Sequence, residues 1–244
     1  MWKLDRVAML VVAMALSLPG ARAEQQAIVR VGDRDGYVAS AEGPGNVQVN
    51  MGDCRFSLRL TGGQHISFNG PDVVFYQSAK ALAAKQQPYL WQAPMSHGYF
   101  WSFRKDGAVD ARWFGLMCED ASDFDWSVLP GQQDQLPAEL QDIMSDNAQR
   151  CPAIFKQGKW TPAKALKTGV FRPLSGPGWS GFVLAYPAAK PATTLTAIQF
   201  CLVHGRHVLI GAAQDDRREL AMPIDFLEPL VHSLSSLRFE DAAD

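Results

Sequence analysis

Apolar and polar side chains alternate through Arg55-Phe56-Ser57-Leu58-Arg59-Leu60, the period-two pattern of a strand with one buried and one solvated face. Short runs of similar character at Ala27–Val31, Val47–Met51 and Gln64–Phe68, separated by glycine-rich turns, predict a small sheet over the first part of the chain. Gln77–Gln87 is rich in Ala, Lys, Leu and Gln and stops at Pro88, which predicts a short surface helix. Tyr99–Arg104 and Val109–Cys118 read as the two arms of an aromatic hairpin turned by Lys105-Asp106-Gly107, because Asp-Gly supplies the positive φ angles of a tight turn. Pro137–Arg150 carries Leu140, Ile143 and Met144 on the same helical face as Leu136. Further on, Phe182–Tyr186, Thr194–Val203 and His207–Ala212 form a meander, with Gly205-Arg206 as its second turn. Asp225 and Glu228 resemble a capping box, opening a closing helix whose apolar face is Phe226, Leu227, Leu230, Val231 and Leu234.

Strands in runs, with a few helices, predict an α+β fold: antiparallel sheets with the helices packed on one face, or two related α/β halves. The Gly/Pro-rich stretch Arg172–Gly178 is the best candidate boundary. It divides an N-terminal α+β region (24–171) from a C-terminal β-meander with closing helix (172–244), unless the two are one continuous domain.

The first 23 residues follow another pattern. Lys3 and Arg6 precede an apolar stretch from Val7 to Leu18, Pro19-Gly20 ends it, and Ala21-Arg22-Ala23 is an A-x-A cleavage site. This predicts a signal peptide cleaved after Ala23 and a periplasmic protein beginning at Glu24. The apolar stretch is too short to span a bilayer, and no second one of that length follows, so stable membrane insertion is not expected. Cleavage removes Lys3, Arg6, Arg22 and Asp5 from 23 basic and 25 acidic residues, leaving 20 against 24. That balance argues against a nucleic-acid binder, which needs a basic stripe.

Export places Cys54, Cys118, Cys151 and Cys201 where disulfides persist. Four cysteines allow three connectivities. Loop length favours Cys118 with Cys151, leaving Cys54 with Cys201. No pair has C-x-x-C spacing or a His at ligand distance in sequence, so no zinc site is expected. No other cofactor is expected either.

Candidate chemistry is sparse. Gly178-Trp179-Ser180-Gly181-Phe182 suggests a nucleophile elbow, but Phe182 stands where the elbow needs glycine, and the motif precedes a strand instead of a helix. His204 and His207 flank a turn, and with no nearby carboxylate they make half a metal site at best. His65, His97 and His232 are isolated. No catalytic residue is assigned. The aromatics Trp91, Tyr99, Phe100, Trp101, Phe103, Trp113 and Phe114 suit either a core or a sugar-stacking platform. Glu119, Asp120, Asp123 and Asp125 crowd one loop around Phe124 and Trp126. Their spacing is not that of a calcium loop. It does suit a contact patch for a basic partner, with aromatics as anchors and charges steering encounter.

Gly178-Trp179-Ser180-Gly181-Phe182, Phe200-Cys201-Leu202-Val203-His204-Gly205 and Leu230…Leu234…Leu237-Arg238-Phe239 give the last third an order of strand, Cys-bearing strand, hairpin and amphipathic helix. This tail resembles that of the periplasmic immunity proteins of bacterial type VI secretion systems. The resemblance implies a non-catalytic protein that binds and neutralises a toxic secreted effector. The rival expectations are an envelope module binding glycan or another small ligand, and a periplasmic hydrolase using Ser180 or the His204/His207 pair.

Overall fold

The computed structural model describes residues 27–80, 82–95, 98–104, 112–128, 131–166, 169–189, 193–214 and 221–240, with backbone alone at 84, 92–95 and 98–104. The expected signal segment, its cleavage site and the Lys105-Asp106-Gly107 turn lie outside the described residues. In chain order the strands are β1 (Val29–Val31), β2 (Ser40–Glu42), β3 (Gly45–Met51), β4 (Cys54–Leu60), β5 (Gln64–Phe68), β6 (Val73–Gln77), β7 (Tyr89–Met95), β8 (Gly98–Arg104) and β9 (Arg112–Asp120). Helix α1 (Ala138–Arg150) follows, then β10 (Ala153–Lys156), β11 (Lys159–Pro162), β12 (Val170–Gly176), β13 (Trp179–Pro187), β14 (Thr194–His204), β15 (His207–Ala213), β16 (Met222–Pro223), α2 (Leu227–Ser235) and β17 (Arg238–Phe239). The fold is α+β and almost wholly antiparallel, as the pattern predicted.

Its centre is a nine-stranded sheet in the order β12-β13-β14-β15-β9-β6-β5-β2, with β16 beside β14, drawing strands from either side of residue 171. The glycine/proline-rich stretch after that residue is strand β12 and the turn into β13. A four-stranded sheet, β1-β3-β4-β17, covers one face. Its β4 alternates as the sequence pattern requires, with Phe56, Leu58 and Leu60 buried and Arg59 exposed. Helix α2 lies on that same face, where Phe226 approaches Phe114 and Phe114 meets Phe200 edge-on. Gly211 sits opposite Phe200 in the β14–β15 pair, and a Cβ there would fall 1.9 Å from the Phe200 ring. The other face carries α1 and the β10–β11 arm, anchored where Cys151 bonds Cys201 and Trp160 packs on Phe182. The two helices thus lie on opposite faces of the central sheet and do not share one.

Four local expectations are corrected. Gln77 ends β6, and among the described residues of the helix expected over Gln77–Gln87 only Ala84–Gln86 turns, as a 3-10 turn. Val73–Tyr76 is buried on both faces, and a run with two apolar faces is satisfied by the middle of a sheet. The aromatic hairpin is also drawn differently: β8 pairs back onto β7, while β9 pairs with β6 and β15. Residues Trp113–Met117 are buried throughout, so β9 needs neighbours on both edges. Asp225 and Glu228 form no capping box, because their carboxylates reach outward to Arg112 and Arg172. The disulfides are Cys54–Cys118 and Cys151–Cys201, not Cys118–Cys151 and Cys54–Cys201. Cys118 and Cys201 point to opposite faces of the central sheet, so each bonds the layer above its own face, β4 in one case and the end of α1 in the other. The described residues contain no helix long and apolar enough to cross a membrane.

Candidate functional site

The acidic residues singled out in the sequence gather at one end of the central sheet, where β9 runs out at Asp120 and the chain turns through two 3-10 turns, Ala121–Asp123 and Asp125–Ser127. Strand alternation sends Glu119 and Asp120 to opposite faces. Asp120 caps the first turn: its carboxylate accepts from the Ser122 backbone N–H at 2.9 Å and from the Ser122 hydroxyl at 2.8 Å. These bonds, helped by Arg206 at 3.4 Å and by His207, hold its pKa below the usual carboxylate range. Glu119 faces α1, and burial raises its pKa, with Arg150 opposing and Asp123 reinforcing the shift. Burial and Asp120 raise the pKa of Asp123. Asp125 is exposed.

Both aromatic members pack against the body of the protein, Phe124 completely and Trp126 in part. Phe124 is fully buried and stacks on Trp126 at 4.2 Å between ring centroids, and Trp126 meets Trp160 edge-on at 5.4 Å. From α1, the buried Asn147 donates to the Asp123 carbonyl at 2.8 Å and accepts from Arg150 at 2.9 Å. The loop is therefore nailed down from beneath by rings and an amide, and what it displays is carboxylate. Among the described residues these carboxylates do not converge into a cation-binding group.

The sequence did not single out Asp72, Asn147 or Arg150. Asp72 precedes β6, is 3 % exposed, and has its pKa raised to about 7 by burial and by Glu119. The only sequence signal was a carboxylate set directly against the apolar run Val73–Tyr76. Also unforeseen is a cavity of about 480 Å³ between α1, the residues after β11, and β13–β14. Leu166 and Leu184 line it with Tyr186, Gln149, Gln199 and Lys164.

The remaining candidates serve separate neighbours. Ser180 lies within β13, where its hydroxyl accepts from the Trp160 indole at 3.1 Å, and no helix follows it as an elbow requires. His204 stacks on Phe239 at 4.8 Å, and its Nδ1 lies 2.8 Å from the Gly178 carbonyl oxygen. His207, its cross-strand partner, lies instead beside the Cys54–Cys118 disulfide, with its ring nitrogen and both sulfurs all within 4.8 Å of one another. Buried His65 stacks on Tyr76 at 4.7 Å, and His232 lies in α2. Trp113 and Phe114 are core residues. His97 and the side chains of Tyr99, Phe100, Trp101 and Phe103 lie outside the description.

No family model matches the chain, and neither a curated protein nor a solved structure matches it.

Proposed function

We propose that this chain is an exported, non-catalytic binding protein of the bacterial periplasm, released by cleavage after Ala23, that captures and neutralises a secreted protein toxin. The observation that carries this reading is the rigid acidic end of the central sheet. Asp120, Asp123 and Asp125 are offered on a loop whose rings are packed beneath it. A surface ordered before binding loses little conformational entropy on docking. Asp120 is engaged by Ser122 and Arg206, so the carboxylates left to steer a basic partner are Asp123 and Asp125. Two disulfides suit an oxidising compartment.

The test is affinity capture from secreted and envelope fractions with the oxidised chain beginning at Glu24. One stoichiometric partner that is toxic when expressed in the periplasm supports the reading, and its absence removes it.

A second reading, an envelope module for a glycan fragment, rests on the cavity beneath α1. Its volume of about 480 Å³ lies within the roughly 300–1,000 Å³ of small-molecule pockets, and it combines an aromatic ring with amide and ammonium groups. Muropeptides should then shift amide NMR resonances of Gln199 and Tyr186, and Tyr186→Ala should weaken that binding at least about tenfold. Unmoved resonances count against the glycan reading.

A further inference from the structure

We propose that the Cys54–Cys118 disulfide and His207 form a redox-gated binding site for a thiophilic divalent cation, Zn²⁺: closed while the disulfide is intact, and opened to a two-thiolate, one-imidazole ligand set by reduction.

The argument begins with the register of the central sheet. In the β9–β15 pair, His207 stands opposite Asp120 and Leu209 opposite Cys118. Directly paired residues share a face, as do residues two apart on one strand. Cys118, Asp120, His207 and Leu209 therefore all project from the face covered by β4, which brings Cys54. The imidazole nitrogen and the two sulfurs lie within 4.8 Å of one another, with the cysteine Cα atoms 5.9 Å apart. A tetrahedral zinc with Zn–S of about 2.3 Å and Zn–N of about 2.0–2.1 Å requires S···S of about 3.8 Å and S···N of about 3.6 Å. Side-chain rotation after the S–S bond opens spans that difference, so no strand has to move. These three residues form the one converging group of metal-ligating side chains among the described residues. Sequence spacing conceals it, since the ligands come from three strands far apart in the chain.

The two disulfides differ in access. Cys151 and Cys201 are both almost fully buried, whereas Cys118 is half-buried. A dithiol reductant delivers a thiolate to the Cys118 sulfur, displacing Cys54 as thiolate. Its second thiol then resolves the mixed disulfide, leaving the reductant oxidised and both cysteines reduced. Two electrons and two protons have then passed from the dithiol to the cysteine pair. Zinc binding afterwards displaces the two thiol protons and takes the neutral imidazole as third ligand. A water would complete the tetrahedron, as in zinc sites that keep three protein ligands.

The probe is Co²⁺, which reports thiolate ligation by sulfur-to-metal charge-transfer absorption and tetrahedral geometry by its visible bands. The full chain is reduced with a phosphine and titrated without oxygen, then back-titrated with Zn²⁺. One cobalt per chain, with both signatures, displaced by one zinc, is the expected result. The oxidised chain should give neither. His207→Ala, whose disulfide-bonded form keeps the wild-type circular dichroism, should weaken cobalt binding at least about tenfold and change the visible bands. No charge-transfer absorption in the reduced chain overturns the proposal. Identical cobalt binding by the wild type and His207→Ala overturns it equally, because it places the metal on thiols that the fold does not organise.

Discussion

Asp72 is an acid whose fold prefers it protonated. Burial and the neighbouring Glu119 raise its pKa from 3.8 to about 7, so between those values the folded chain holds a proton that the unfolded chain has released. Stability therefore falls as pH rises through that window. At about 1.4 kcal/mol for each pH unit, the loss approaches about 4 kcal/mol above pH 7. Asn keeps the shape and a donor but cannot ionise. Asp72→Asn should match the wild type near pH 3.5 and exceed its urea midpoint increasingly up to pH 8. Parallel midpoints across that range would mean that Asp72 does not carry this proton. The same burial explains why the residue escaped a reading of sequence: nothing in Pro71-Asp72-Val73 reveals that this carboxylate will be buried beside Glu119.

Among the elements, α2 separates what a hydrophobic pattern can tell from what it cannot. The stripe Phe226, Leu227, Leu230 and Leu234 is buried as its spacing requires, because one apolar face fixes how a helix lies on a sheet. Its polar residues were misjudged, since Asp225 and Glu228 find arginines on β9 and β12 that no local rule could supply. The energies rank accordingly. Leu230→Ala should cost about 2–5 kcal/mol, and Glu228→Gln, which removes a half-exposed ion pair, less than about 1 kcal/mol. Urea denaturation checks both, and equal losses would mean that the helix is held by its charges. Strand partnership shows a similar divide. The alternation in β4 and the β13–β14–β15 meander were legible because their information is local. The partners of β9 were not, since a run buried on both faces can take any neighbour with a matching apolar face. The disulfide map failed for the same reason: loop length ranks connectivities, but the face a cysteine occupies decides them. At the candidate site, the carboxylates were legible as composition, whereas the inward turn of Phe124 and Trp126 depended on Trp160, which arrives from a hairpin after α1.

Across the whole molecule, the two disulfides bind each outer layer to the central sheet, one joining β4 to β9 and the other the end of α1 to β14. The acidic loop lies between these anchors, following Cys118 directly and resting on α1. It is therefore held in place in the free protein, and the proposed binding should be limited by encounter more than by rearrangement. That makes its charge dependence kinetic. Asp123→Asn with Asp125→Asn should slow association with a captured toxin roughly tenfold at low salt while changing dissociation little. The difference should fade toward 1 M salt, where the screening length falls to about 3 Å. Because Asp123 is held through its backbone carbonyl by Asn147, the side-chain change leaves the loop in place, and stopped-flow association rates measure charge rather than folding. A loss that persists undiminished at high salt would mean that the carboxylates make direct bonds to the partner. No loss at any salt would move the contact surface away from this end of the sheet.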